Sequence, residues 1–140
     1  MDFLIDGSSL SDVLGEQFPE RNIAGLLPTT LNWLYSSAEQ LIVWNRFLDR
    51  NSTHLTVPIL CCPDELDFWC SLILVEVTIA DDEVKWQRFG FDISESSLLP
   101  AGVGSQIDWL EGADVFTFDR EQYDTAARNF QTWAETQLAE

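Results

Sequence analysis

His54 is the only histidine in the 140 residues, so thiol–imidazole chemistry would have to join it to Cys61, Cys62 or Cys70. A Cys–His hydrolase needs the thiol, the base and an orienting group in contact. All three cysteines sit inside apolar, β-forming runs, where the thiolate is disfavoured and the thiol is a poor nucleophile. Cys61 and Cys62 are neighbours, and a disulfide between neighbours strains the peptide joining them. The set therefore reads as buried reduced thiols. Without a Cys-x-x-Cys pair, and with one histidine, a zinc site lacks a ligand set. His54 itself reads as an ordinary surface residue at the start of a strand.

Carboxylates are the other groups able to do chemistry. Asp and Glu number 24 against 7 Lys and Arg, a formal charge of -17. Asp81-Asp82-Glu83 has two readings: a cation or acid–base site, or a solvated acidic turn. It lacks the Asp-x-Asp-x-Asp-Gly spacing of a calcium loop. No P-loop, Gly-x-Ser-x-Gly or His-Glu-x-x-His occurs, and Gly102-Val103-Gly104 is too short for a nucleotide fingerprint. Seven basic residues argue against a groove that tracks phosphates. No catalytic residue, metal ligand or cofactor is assigned, and the chain is expected not to be an enzyme.

The elements that position these groups centre on Phe68 to Ile93. Two β-rich runs flank Asp81-Asp82-Glu83, a hairpin signal. Phe68 to Val75 is apolar on both faces, as in a covered central strand. From Val75 the pattern alternates, with Val77 and Ile79 opposed to Glu76 and Thr78. On the return strand Val84 and Trp86 have the opposite parity to Phe89, Phe91 and Ile93. A β-bulge near Gln87-Arg88 reconciles them, because one extra residue flips the register. Thr53 to Cys62 reads as another strand, at an edge or bulged at Pro58, which cannot donate to a ladder. One more strand is expected within Ile107 to Phe118, with a turn at Trp109 to Gly112.

Three helices frame the strands. A short one around Leu10, Val13, Leu14 and Phe18 is capped by Ser9 or Ser11 and limited by Gly15 and Pro19. A second lies within Asn32 to Asn51, with a Ser36/Glu39 capping box and a stripe of Leu41, Trp44 and Leu48 widened by Ile42, Val43 and Phe47. The C-terminal helix has Asp119 as N-cap with Gln122 three residues on, and a Phe118/Tyr123 staple. Its stripe is Tyr123, Ala126, Ala127, Phe130, Trp133, Ala134 and Leu138. The expectation is one α+β domain over residues 1–140, with a mostly antiparallel sheet of about four strands and helices on one face. No run is long enough for a transmembrane helix, and no basic segment precedes the first apolar residues. The expected location is cytoplasmic.

What remains is a surface that binds. Of six tryptophans, three keep acidic company: Trp69 after Asp64, Glu65 and Asp67; Trp86 after Asp81, Asp82 and Glu83; Trp109 between Asp108 and Glu111. Aromatic anchors rimmed by charge suit protein interfaces, whereas the plainer alternative makes each tryptophan core and each acid its solvated neighbour. The acidic excess likewise serves solubility or steers a cationic partner, and it repels nucleic acid and anionic membrane.

The order of elements from Pro28 to Trp133 resembles immunity proteins of bacterial toxin systems, particularly those of contact-dependent growth inhibition. The resemblance is carried by Leu31-Asn32-Trp33 before a Trp-bearing helix, the strand pair around Val75 and Trp86, Ile107-Asp108-Trp109, and a closing aromatic helix. It implies a cytosolic protein that occludes a cognate toxin, often a basic nuclease, and it transfers no contact residue.

The leading expectation is a non-catalytic inhibitor whose acidic side chains meet Lys and Arg of the toxin. The residues expected to bind are Asp81, Asp82 and Glu83 together with Asp108, Trp109, Glu111 and Asp114. Competing readings are an adaptor or structural domain that binds another protein through a hairpin edge, and a small-ligand or enzyme domain with an aromatic pocket.

Overall fold

The structure, a computed structural model, describes residues 4–5, 8–21, 23, 25–29, 37–49, 53–62, 72–95, 102–112 and 115–139. In chain order these form β1 (Leu4–Ile5), β2 (Ser8–Ser9), α1 (Leu10–Gln17), a 3₁₀ turn at Pro19–Arg21, β3 (Leu27–Pro28), α2 (Ser37–Phe47), β4 (His54–Cys61), β5 (Leu72–Ile79), β6 (Glu83–Asp92), β7 (Ile107–Trp109), β8 (Phe116–Asp119) and α3 (Arg120–Ala139). β1 and β2 make a small ribbon. The main sheet is antiparallel throughout, in the order β3-β4-β5-β6-β7, with β8 also on β6. The expected α+β domain with an antiparallel sheet is what the chain forms.

The β5–β6 hairpin is the centre. Leu72 to Val75 are all buried; beyond them Val77 and Ile79 stay buried while Glu76 and Thr78 are half-exposed. Asp81 and Asp82 form a two-residue loop, closed by the Ala80 N–H donating to the Glu83 carbonyl at 2.9 Å. Glu76 pairs with Arg88 and Val77 with Trp86, so Gln87 is the extra residue of a bulge. It lies where the parity of the sequence requires, and it puts Val84, Trp86 and Phe89 into the same core. β4 carries a second bulge at Ile59, between the Pro58–Leu74 and Leu60–Ile73 pairs, directly after the proline that cannot donate. The Pro58 carbonyl accepts a hydrogen bond from the Thr29 hydroxyl at 2.8 Å.

The outer side of β6 is shared. β7 pairs with Gly90 to Asp92 and β8 with Glu83 to Trp86, while Glu111 and Gly112 turn away between them. The single strand expected in this region is therefore two, and the interruption lies alongside the Gln87 bulge.

The larger core joins Val75, Val77, Trp86 and Phe89 of the sheet to Leu10 and Leu14 of α1, Phe47 of α2 and Ala127 of α3. All three helices thus serve one face. The smaller core, on the other face, joins Leu72, Leu74 and Cys61 to Val43 and Val103. α2 packs along β4 and feeds both cores, Phe47 into one and Val43 into the other. That corrects the expected stripe: Leu41 is 60% exposed, because the buried rows of α2 are set by two cores rather than one. Ser36 lies outside the described residues, so its half of the expected capping box does too; Glu39 is buried.

The other helix ends follow their sequence signals. Ser9 Oγ accepts from the Asp12 N–H at 3.3 Å, and α1 stops before Pro19. Asp119 Oδ2 accepts from the Gln122 N–H at 3.0 Å, and the Phe118 and Tyr123 rings meet at 5.5 Å. Within α3, Ala127 is buried as expected but Ala126 is exposed. The side chains of Phe130, Trp133, Ala134 and Leu138 lie outside the described residues. Among the described residues no helix is long and apolar enough to cross a membrane.

Candidate interaction surface

The acidic hairpin loop is held against the start of α3. Arg120 Nη1 donates to the Ala80 carbonyl at 2.9 Å, and the Arg120 backbone N–H donates to the Asp82 carbonyl at 3.1 Å. The same guanidinium faces Asp124 at 3.9 Å, one helical turn on. The Asp81 and Asp82 residues of the loop are exposed to solvent. Between loop and helix lies a concavity of about 540 Å³ lined by Asp81, Asp82, Asp119, Glu121 and Asp124, with Arg120 and Arg128 as its cations. Five carboxylates against two guanidiniums leave its field negative. Glu83 is half-exposed and faces Lys85 at 3.5 Å.

The second expected group is distributed differently. Asp108 pairs with Arg21 at 2.9 Å, and that guanidinium lies 4.9 Å from the centre of the Phe91 ring. Trp109 is opposite Gly90 and so faces the other side of the sheet from Asp108, which is opposite Phe91. The Arg88 guanidinium stacks 3.9 Å above the Trp109 ring. Glu111 is exposed on the turn that Gly112 makes at φ +87°. Asp114 lies outside the described residues. Glu83 and the Trp109 partner Gly90 are seven residues apart on β6, about 23 Å at the rise of a strand. The hairpin group and the β7 group are thus two patches, and Asp108 and Trp109 do not share a face.

Of the tryptophans expected as anchors, Trp86 is core: it is 3% exposed, its Nε1–H donates to the Tyr123 hydroxyl at 3.2 Å, and the Phe118 ring meets it edge-on at 5.1 Å. Its pairing with core Val77, two residues after buried Val84, faces it inward, away from the acids that precede it. Trp69 lies outside the described residues.

A polar row that sequence reasoning missed crosses the face of the sheet opposite α1 and α3. His54 Nε2 lies 2.9 Å from Glu76 Oε2, Arg88 Nε donates to Glu76 Oε1 at 3.1 Å, and Arg88 leads to Trp109. Burial pushes the Glu76 carboxyl up, but the hydrogen bonds from His54 and Arg88 and their charges outweigh it, so its pKa lies below the ordinary value. Nearby, burial lowers the Arg46 pKa, with the Asp92 charge opposing. No spacing in the chain links positions 54, 76, 88 and 109; only strand register does. The contribution of Arg120, Asp119, Glu121 and Asp124 to the hairpin patch was equally hidden, since Asp119 was legible only as a cap.

Cys61 and Cys62 are buried thiols, as expected, and Cys70 lies outside the described residues. Among the described residues no group of three or more His, Cys, Asp or Glu side chains is arranged to hold a metal ion. Comparison with protein families, curated proteins and solved structures finds no match to this chain.

Proposed function

We propose that this protein is an immunity protein, which binds a cognate basic toxin domain in the cytoplasm and neutralises it by covering its active face. The observation that carries the reading is the hairpin–α3 concavity, lined by five carboxylates, four of them exposed, on a body of net charge -17. A surface of that sign attracts Lys and Arg of a nuclease-like domain, accelerates encounter and repels nucleic acid. Asp81, Asp82 and Glu83 form the leading contact, and Glu111 with the Trp109 patch forms a separate one about 23 Å along β6. The element order from Pro28 to Trp133, which resembles that of immunity proteins of contact-dependent growth inhibition, points to the same reading.

The test is retention from the native host at low salt and release at high salt, followed by expression of the retained protein. The expected result is a basic protein that arrests growth alone and does not when this chain is co-expressed. A retained protein that is acidic, or whose toxicity this chain leaves unchanged, overturns the proposal.

A further inference from the structure

Among the described residues no strand lies on the outer edge of β8. In an antiparallel pair the N–H and C=O of one residue point to the same side, and successive residues alternate. The Arg120 N–H points at Asp82 of the hairpin, so Phe118 and Phe116, two and four residues back, also face β6, opposite Val84 and Trp86. Val115 and Thr117, with the Asp119 N–H, therefore turn outward. Among the described residues no strand pairs with that side of β8. Thr117 is exposed, and Val115, at 53%, is one of three exposed large hydrophobics among the described residues. Two of the usual protections of an edge, lysine and proline, are absent between Val115 and Asp119.

We propose that this edge takes up an extended, lysine- or arginine-flanked segment of the partner as an additional strand. Backbone hydrogen bonds supply the pairing, and Val115 and Thr117 supply the side-chain contact. The charge of the occupant follows from what flanks the edge: Asp119, Glu121, Asp81 and Asp82 at one end and Glu111 at the other. Lys85, opposite Thr117 in register, already faces Glu83 at 3.5 Å. A second copy of the chain is disfavoured as occupant because it brings -17 against -17. The basic character of the partner rests on the function proposed above; the open edge does not.

Two synthetic peptides test this with the full chain: Lys-Thr-Val-Thr-Val-Lys, and the same peptide N-methylated at every backbone amide nitrogen, which keeps its charge and has no donor left on either edge. Amide exchange followed by NMR reads the site. The unmodified peptide is expected to protect the Thr117 and Asp119 amides, and the methylated one to bind about tenfold more weakly, the loss of one or two net hydrogen bonds. Thr117→Pro removes a donor that faces away from β6 and is expected to cost the unmodified peptide about the same tenfold. Exchange in β6 and α3 should meanwhile match the parent chain. Equal, salt-sensitive binding of the two peptides overturns the edge proposal while leaving the acidic-surface reading in place. Protection of Thr117 that rises with protein concentration without peptide overturns it in favour of self-pairing. Failure to retain a basic toxin would instead strike the function proposed above and leave the peptide result standing.

Discussion

At Gly90 the sheet has no room for a side chain. A Cβ there would lie 2.9 Å from both the Asp108 carbonyl oxygen and the Trp109 ring and would collide with Ile107. Gly90→Ala must push β7 outward, and overpacking of this kind costs about 2 kcal/mol. In a chain of this size that lowers the melting temperature by roughly 4–8 °C, measurable by thermal denaturation, and the displaced Trp109 should change its fluorescence. Glu76 gives the second residue-scale prediction. Its folded pKa lies below the ordinary 4.5, so its stabilisation is complete above that value and is lost as pH falls through the folded pKa. Denaturant midpoints of Glu76→Gln should trail the parent at pH 7, and the gap should close below about pH 4.5. A gap that stays constant on acidification would show that ionisation of Glu76 contributes nothing.

The element that carries the acidic patch depends on a helix end. Asp119 terminates β8 and caps α3, and Arg120, the first helical residue, ties the hairpin loop to it. Asp119→Ala removes the cap and should destabilise the protein by about 1 kcal/mol, the usual worth of such a side chain. Because the tether begins in the same helical turn, amide exchange from Ala80 to Glu83 should accelerate as well. Unchanged exchange there, beside a lowered melting temperature, would mean that the loop holds its shape without α3.

For the whole molecule the charge of -17 works in two directions. It would drive encounter with the basic partner proposed above, and it strains the folded body. Raising salt from about 10 mM to about 150 mM shortens the screening length from about 30 Å to about 8 Å, so the melting temperature should rise over that interval. Reversing Asp81, Asp82 and Glu83 to Lys adds two charges at each of three sites, which takes -17 to -11. Association with the basic partner should then slow by about tenfold or more at low ionic strength, and its salt dependence should flatten. Unaltered stopped-flow rates would remove these residues from the contact.

Local patterns in the chain carried much of the architecture. Alternation along Val75 to Ile79 and the parity break at Trp86 contained the hairpin and its bulge, because a strand must place every second side chain on one face. Ser9, Asp119 and Gln122 contained two helix starts, since caps are short-range hydrogen bonds. The net charge, too, is a property of composition alone. Leu41 was misplaced because one helical stripe cannot reveal that two cores compete for α2. The hairpin–α3 concavity, the His54–Glu76–Arg88–Trp109 row and the open side of β8 were decided only by tertiary structure. Each depends on which strands become neighbours and in what register, and that choice rests on pairings between residues far apart in the chain.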